Sequence, residues 1–115
     1  LELKVMKMLL QPIVENSIFH GLEPKSGKGS LYIGARVEED DLIITVKDDG
    51  VGIGEAELAE LQGMLREKSA DTRKHVGTLN TNARIRLQYG ERYGVQIESL
   101  PEDGTTVTLR LPAKE

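Results

Sequence analysis

Leu42 to Ile53 reads Leu-Ile-Ile-Thr-Val-Lys-Asp-Asp-Gly-Val-Gly-Ile. A β-forming run leads straight into two acids, Asp48 and Asp49, and two closely spaced glycines, Gly50 and Gly52. A carboxylate at a strand end can accept hydrogen bonds from a flat polar ligand. Glycines beside it let that ligand approach the backbone without a Cβ in the way. The same residues also make an ordinary turn, because Asp-Gly and Gly-x-Gly are common loop chemistry. Glu15 and Asn16 are a second candidate pair. The Asn16 amide oxygen could take one position on Mg²⁺, whose other ligands are usually waters and phosphate oxygens. In isolation the pair also fits a plain solvated helix edge. Gly77 and Thr78 are a third: a glycine and a hydroxyl at a helix start, where free N–H groups and the positive dipole end suit a phosphate. Simple N-capping by Thr78 would leave the same residues there.

Each of these groups needs an element to hold it. Leu10, Ile13, Val14, Ser17 and Ile18 fall on one face of a helix that Gly21 would stop. The spacing predicts a helix starting at Gln11 or Pro12, where a missing N–H costs nothing. Asn16 then lies about 60° round from Ile13, with His20 one turn further on the same edge. Leu1, Leu3 and Val5 alternate with Glu2 and Lys4, a faint strand signal. Glu23 to Gly29 is a polar loop. Ser30 to Glu38 alternates, with Leu31, Ile33, Ala35 and Val37 inward, and Glu39-Asp40-Asp41 turns the chain into the strand Leu42–Lys47. The two strands should be antiparallel. Gly54 to Lys68 reads as an amphipathic helix carrying Leu58, Leu61 and Leu65 on one side. Glu67 to His75 is charged and almost without apolar residues, the composition of an active-site lid or of a plain surface loop. Leu79 to Tyr89 is a further helix, with Leu79, Ala83 and Leu87 at helical spacing. Val95, Ile97 and Ser99 form a strand, Glu102-Asp103-Gly104 a turn. Thr105 to Leu111 closes the chain with Val107, Leu109 and Leu111 inward.

Composition bounds the rest. At 115 residues, 38% hydrophobic and 30% charged, the sequence fits one soluble globular domain. A formal charge of −4 argues against a nucleic-acid surface. No apolar run approaches membrane-spanning length, so contact of this segment with a membrane is not expected. With no cysteine, disulfides and thiolate metal sites are excluded. The chain opens on Leu1 inside sequence that already reads as structured, which points to a piece of a longer protein.

Taken in order, the Glu15-Asn16 helix, the strand ending Asp48-x-Gly50-x-Gly52 and the Gly77 helix start resemble the N box and the two glycine boxes of the GHKL ATP-binding fold. Histidine kinases, DNA gyrase, the Hsp90 chaperone and MutL share that fold. Leu-Gln-Pro-Ile-Val-Glu-Asn-Ser-Ile-Phe-His-Gly (Leu10–Gly21) is similar to the N box of LytS/YesM-type sensor histidine kinases. Asn82 to Gly90 resembles the end of their second glycine-box helix. Gly104-Thr105-x-Val107 with Leu111-Pro112 resembles their closing strand. The resemblance covers nearly the whole chain.

What it implies is specific. The fold would be an α+β two-layer sandwich, a mixed and largely antiparallel sheet of the four clear strands plus an edge strand, covered on one face by helices. Residues 1–115 would be the catalytic ATP-binding domain, lying towards the C-terminus of a sensor kinase. Asn16 would ligate Mg²⁺ bridging the ATP phosphates, and Asp48 would accept from the adenine amino group. Gly50, Gly52 and Ile53 would line the base, and Gly77, Thr78 and Leu79 would offer N–H groups to phosphate. Thr105 would support adenine through Asp48 or a water, His20 would lie near the nucleotide, and Glu15 would help orient the incoming phosphoacceptor histidine. That histidine would sit on a separate dimerisation helix of the same parent, a dimeric, membrane-anchored kinase with its catalytic part in the cytoplasm and a response regulator downstream. The sequence departs from the family at three places. His75-Val76-Gly77-Thr78 replaces the usual Gly-x-Gly-Leu, and Phe19 stands where many kinases have Lys. Pro12 stands where hydrolytic relatives place a glutamate base, which fits transfer to a partner better than hydrolysis. A hydrolytic ATPase or anti-sigma serine kinase is one alternative, and a nucleotide-binding or docking module without catalysis the other.

Overall fold

The structure, a computed structural model, describes residues 3–18, 29–67 and 76–113. Helix α1 spans Leu3–Asn16, strands β1 and β2 span Leu31–Glu38 and Asp41–Asp48, and helices α2 and α3 span Glu55–Glu67 and Val76–Tyr89. Strands β3, Gly94–Leu100, and β4, Gly104–Pro112, complete the order. The described strands form one sheet, β1-β2-β4-β3. Every neighbouring pair is antiparallel. The expected parallel component and fifth edge strand are absent among the described residues. Two tight hairpins make β1–β2 and β3–β4 antiparallel, and the β2–β4 pair that joins them is antiparallel as well.

The helices cover one face of the sheet. Ile44 and Val46 of β2, Val107, Leu109 and Leu111 of β4, and Val95 and Ile97 of β3 meet Leu9 and Ile13 of α1, Leu61 and Leu65 of α2, and Leu79 and Ile85 of α3. Each such side chain contributes about 1.5–3 kcal/mol on leaving water, which makes this layer contact the main source of stability.

Five local expectations are corrected. The N-terminal residues described are helical, not a strand: Val5, Leu9 and Ile13 recur at the i, i+4 spacing of a helix face and pack on the core. Pro12 lies inside α1 rather than at its start, and after Asn16 the backbone takes a wider, π-type turn at Ser17–Ile18. In β1, Ile33 and Val37 have the core-side parity but are 49% and 63% exposed, because the described helices pack over β3 and β4 rather than β1. Leu87 is 89% exposed, although its spacing placed it inward. The buried face of α3 is instead Thr78, Leu79, Thr81, Asn82 and Ile85, so counting apolar residues alone misplaces it. Asp41, read as part of a turn, is the buried first residue of β2.

Candidate active site

Strand β2 begins and ends with a buried aspartate, and the two are treated differently. Asp41 Oδ2 accepts from Arg110 Nη1 at 2.6 Å and from Arg92 Nη2 at 3.0 Å. Burial works against its charge, but the Arg110 hydrogen bond, the Arg92 charge and Tyr93 outweigh it and hold the carboxyl below its ordinary range. Asp48 is 2% exposed and has no basic partner among the described residues. Its Oδ1 accepts from the Gly50 N–H at 2.9 Å, a local Asx-type turn. Among the described residues Oδ2 has no protein donor. Asp49, next in sequence, is used for structure: its Oδ1 accepts from the Ser30 N–H at 2.6 Å, tying the loop to the foot of β1.

The loop after Asp48 is fixed from behind by the β3–β4 hairpin. The Ile53 N–H donates to Ser99 Oγ at 2.8 Å, and Ser99 Oγ donates to the Gly104 carbonyl at 2.6 Å. That hydroxyl also lies 2.8 Å from Thr105 Oγ1. Thr105 is the direct β4 neighbour of Asp48 in the sheet register. The Glu102 N–H donates to the Val51 carbonyl at 2.6 Å. Gly52 has φ 73° and abuts the Leu100 carbonyl, where a Cβ would overlap the oxygen. The Ile53 side chain lies in the core, so its part in the loop is played by its backbone.

On the helix side, α1 and α3 come close because Gly77 has no side chain. A Cβ there would sit 3.0 Å from Pro12 Cβ and 3.1 Å from the Pro12 carbonyl oxygen. One turn along α1 from Pro12, Asn16 Nδ2 donates to Thr78 Oγ1 at 2.8 Å. Asn16 is partly buried, Thr78 is buried, and the Leu79 side chain belongs to the core. Glu15 is exposed beside them and accepts from Gln11 Nε2 at 3.1 Å. Thus the structure joins Asn16 to Thr78, and Asp48 to Gly50 and Thr105. His20, Phe19 and the lid residues 68–75 lie outside the described residues.

Three polar residues escaped the sequence reading. Asn82 donates through Nδ2 to the Leu65 carbonyl at 2.8 Å and accepts through Oδ1 from the Val95 N–H at 2.9 Å, bracing the end of α2 against β3. Ser99 and Asp41 are the others. All three resemble surface residues in composition, and only their place on a buried face marks them. Among the described residues no group of three or more His, Cys, Asp or Glu could hold a metal. A divalent ion here would be held by few protein atoms, and the oxygen-only donors beside the α3 start suit Mg²⁺ with phosphate. No helix among the described residues is long and apolar enough to cross a membrane.

A two-layer α+β sandwich with an asparagine helix packed on a Gly-Thr helix start, and an aspartate-glycine loop at a strand end, defines the class. Residues 3–115 match the histidine kinase-, DNA gyrase B- and HSP90-like ATPases, and the chain belongs to that family. Within it, the relatives are sensor histidine kinases of the LytS/YesM type. The chain is 32% identical over 110 residues to the sensor histidine kinase YesM of Bacillus subtilis, which covers 96% of this chain and 17% of YesM. It is 33% identical over 108 residues to the sensor histidine kinase YpdA of Escherichia coli, 94% of this chain and 18% of YpdA. The chain therefore spans less than a fifth of these relatives. In fold it is similar to the histidine kinase domain of the Erythrobacter litoralis EL346 blue-light activated histidine kinase. There the TM-score is 0.63 at 19% identity, covering 94% of this chain and 43% of that one. It is likewise similar to the Acinetobacter baumannii histidine kinase AdeS, with TM-score 0.61 at 15% identity, covering 97% of this chain and 47% of that one.

Proposed function

We propose that this domain binds ATP with Mg²⁺ and presents the γ-phosphoryl group to a histidine on a separate dimerisation helix of its parent kinase. The observation that carries the reading is the contrast between the two buried aspartates of β2. Both aspartates have one oxygen without a donor among the described residues, but Asp41 is matched by two guanidiniums, whereas Asp48 has no basic partner there and accepts only from the Gly50 N–H. A carboxylate without a cationic partner at a glycine loop is suited to accept from an exocyclic amine, such as that of adenine.

The remaining roles follow from position. Gly50, Gly52 and the Ile53 backbone form a loop held rigid by Ser99, so the face offered to a base is set before binding. Thr105 lies beside Asp48 and can support the base through the carboxylate or a water. The N–H groups of Gly77, Thr78 and Leu79, at the positive end of α3, would bind the phosphates, and the family resemblance gives His20 a role beside the nucleotide. Asn16 would hold Mg²⁺ through Oδ1, and the ion when bound neutralises charge on the phosphate oxygens. Glu15, exposed at the rim, would orient the incoming histidine. Transfer of this kind depends mainly on positioning and charge neutralisation. A dimeric, membrane-anchored parent, a cytoplasmic site and a downstream response regulator belong to the same reading.

The test is calorimetry of ATP binding, with and without Mg²⁺, on the wild type and on Asp48→Asn. The amide keeps the shape but loses the charged acceptor, at a cost of about 1.5–3 kcal/mol, or roughly ten- to 150-fold in affinity. A folded variant with native affinity would sink the assignment. Incubation with γ-labelled ATP and the upstream helical segment of the parent should then give an acid-labile, base-stable label on that segment. Rapid turnover by the domain alone would instead mark a hydrolytic ATPase, and an acid-stable label on a partner would mark a serine kinase.

A further inference from the structure

The contact between Asn16 and Thr78 carries one step more. Thr78 is buried on the inner face of α3, beside Leu79 and Ile85. An aliphatic side chain would fill that position without polar cost, whereas a buried hydroxyl has to be given a partner. The partner is the Asn16 amide nitrogen at 2.8 Å. The approach of α1 to α3 that makes the bond possible is set by Gly77 against Pro12.

We infer that Thr78 is a positioning residue for metal binding at Asn16, acting through the amide nitrogen. The inference rests on the nucleotide reading given above. An asparagine amide has one acceptor and one donor end, and rotation about its last torsion exchanges them. Metal ligation uses the oxygen, which turns the NH₂ group towards α3. The carbonyl polarised by a cation also makes that N–H a stronger donor. Thr78 Oγ1 stands where the NH₂ group then points and accepts from it. With a methyl in place of the hydroxyl, the metal-ligating orientation would press a partly buried N–H against an apolar group. The amide would instead rotate to return its nitrogen to water and present the wrong end to the ion. In the bond the structure shows, Thr78 Oγ1 accepts from Asn16 Nδ2, so the hydroxyl supports the metal-ligating orientation, and its loss should appear in the metal-dependent part of nucleotide affinity.

The experiment is calorimetry of ATP binding with and without Mg²⁺ on the wild type, Thr78→Val and Thr78→Ser. The ratio of the two affinities should fall about three- to tenfold in Thr78→Val, the worth of one net hydrogen bond, and return in Thr78→Ser. A wild-type ratio in Thr78→Val overturns the inference. An equal fall in both variants assigns Thr78 to packing alone and also overturns it. Absence of ATP binding by the wild type would remove the nucleotide reading itself, and the inference with it. Should Thr78→Val fail to fold, the wild type still decides the matter by NMR. The Asn16 side-chain NH₂ protons should exchange slowly with water, and exchange as fast as that of exposed asparagines would reject the bond.

Discussion

Gly52 lies against the main-chain carbonyl of Leu100 so closely that an added Cβ would overlap the oxygen. Glycine at this position is thus required by the protein's own packing, whatever further freedom it gives a ligand. The contact fuses the loop after Asp48 to the β3–β4 hairpin, and the Glu102 to Val51 and Ile53 to Ser99 hydrogen bonds reinforce it. The candidate adenine loop is therefore a rigid surface, and the sheet sets its shape.

Gly52→Ala should cost stability as well as binding. The residue has φ 73°, and the obstacle is backbone, which cannot step aside as a flexible side chain would. Strain and displacement together should remove about 2–4 kcal/mol. Urea denaturation of the purified variant measures this directly. An unchanged midpoint would mean that the loop and the hairpin separate freely, against the fused arrangement.

Asn82→Ala should loosen the joint between α2 and β3. The Leu65 carbonyl would keep Arg86 Nη1 at 3.3 Å, but the buried Val95 N–H would lose its acceptor. That orphaned donor alone costs about 1–3 kcal/mol. Hydrogen exchange should show the Val95 amide protected in the wild type and released in the variant. Equal protection in both would show that Asn82 is not its acceptor.

How much of this was legible in the sequence follows from what each residue does. The β2 strand and its terminal Asp48 are legible because a β-forming run and the glycine pair that follows it are local signals. The helix carrying Asn16 is legible for the same reason, whereas its beginning is not. Pro12 is a start signal by its chemistry, yet in α1 the packing of Val5, Leu9 and Ile13 outweighs one missing hydrogen bond. Asn16 and Thr78 each carry a local signal, but their contact spans 62 positions and depends on how two helices cross. Ser99, Asn82 and Asp41 carry no such signal. A polar residue used as an internal brace has no periodicity of its own, and only the hydrogen-bond requirements of the folded backbone show what it is for.

The acid limb of stability provides the last prediction. Asp41 is buried, yet its carboxyl is held below the ordinary range: burial raises it, while the Arg110 hydrogen bond, the Arg92 charge and Tyr93 pull it further down. A carboxyl whose folded value is depressed binds protons more readily in the unfolded chain. Its contribution is therefore fully present above the unfolded value of about 3.9. It is lost as the pH falls through the lower, folded value. At neutral pH, Asp41→Asn should be less stable than the wild type, since two guanidiniums lose the anion they share. On acidification below about pH 4 the wild type should lose stability faster than the variant, and the gap should narrow. Thermal midpoints of both proteins, taken between neutral pH and the acid range, measure that gap. A gap that stays constant throughout would show that Asp41 acts through packing, and that its charge is not what the two arginines hold.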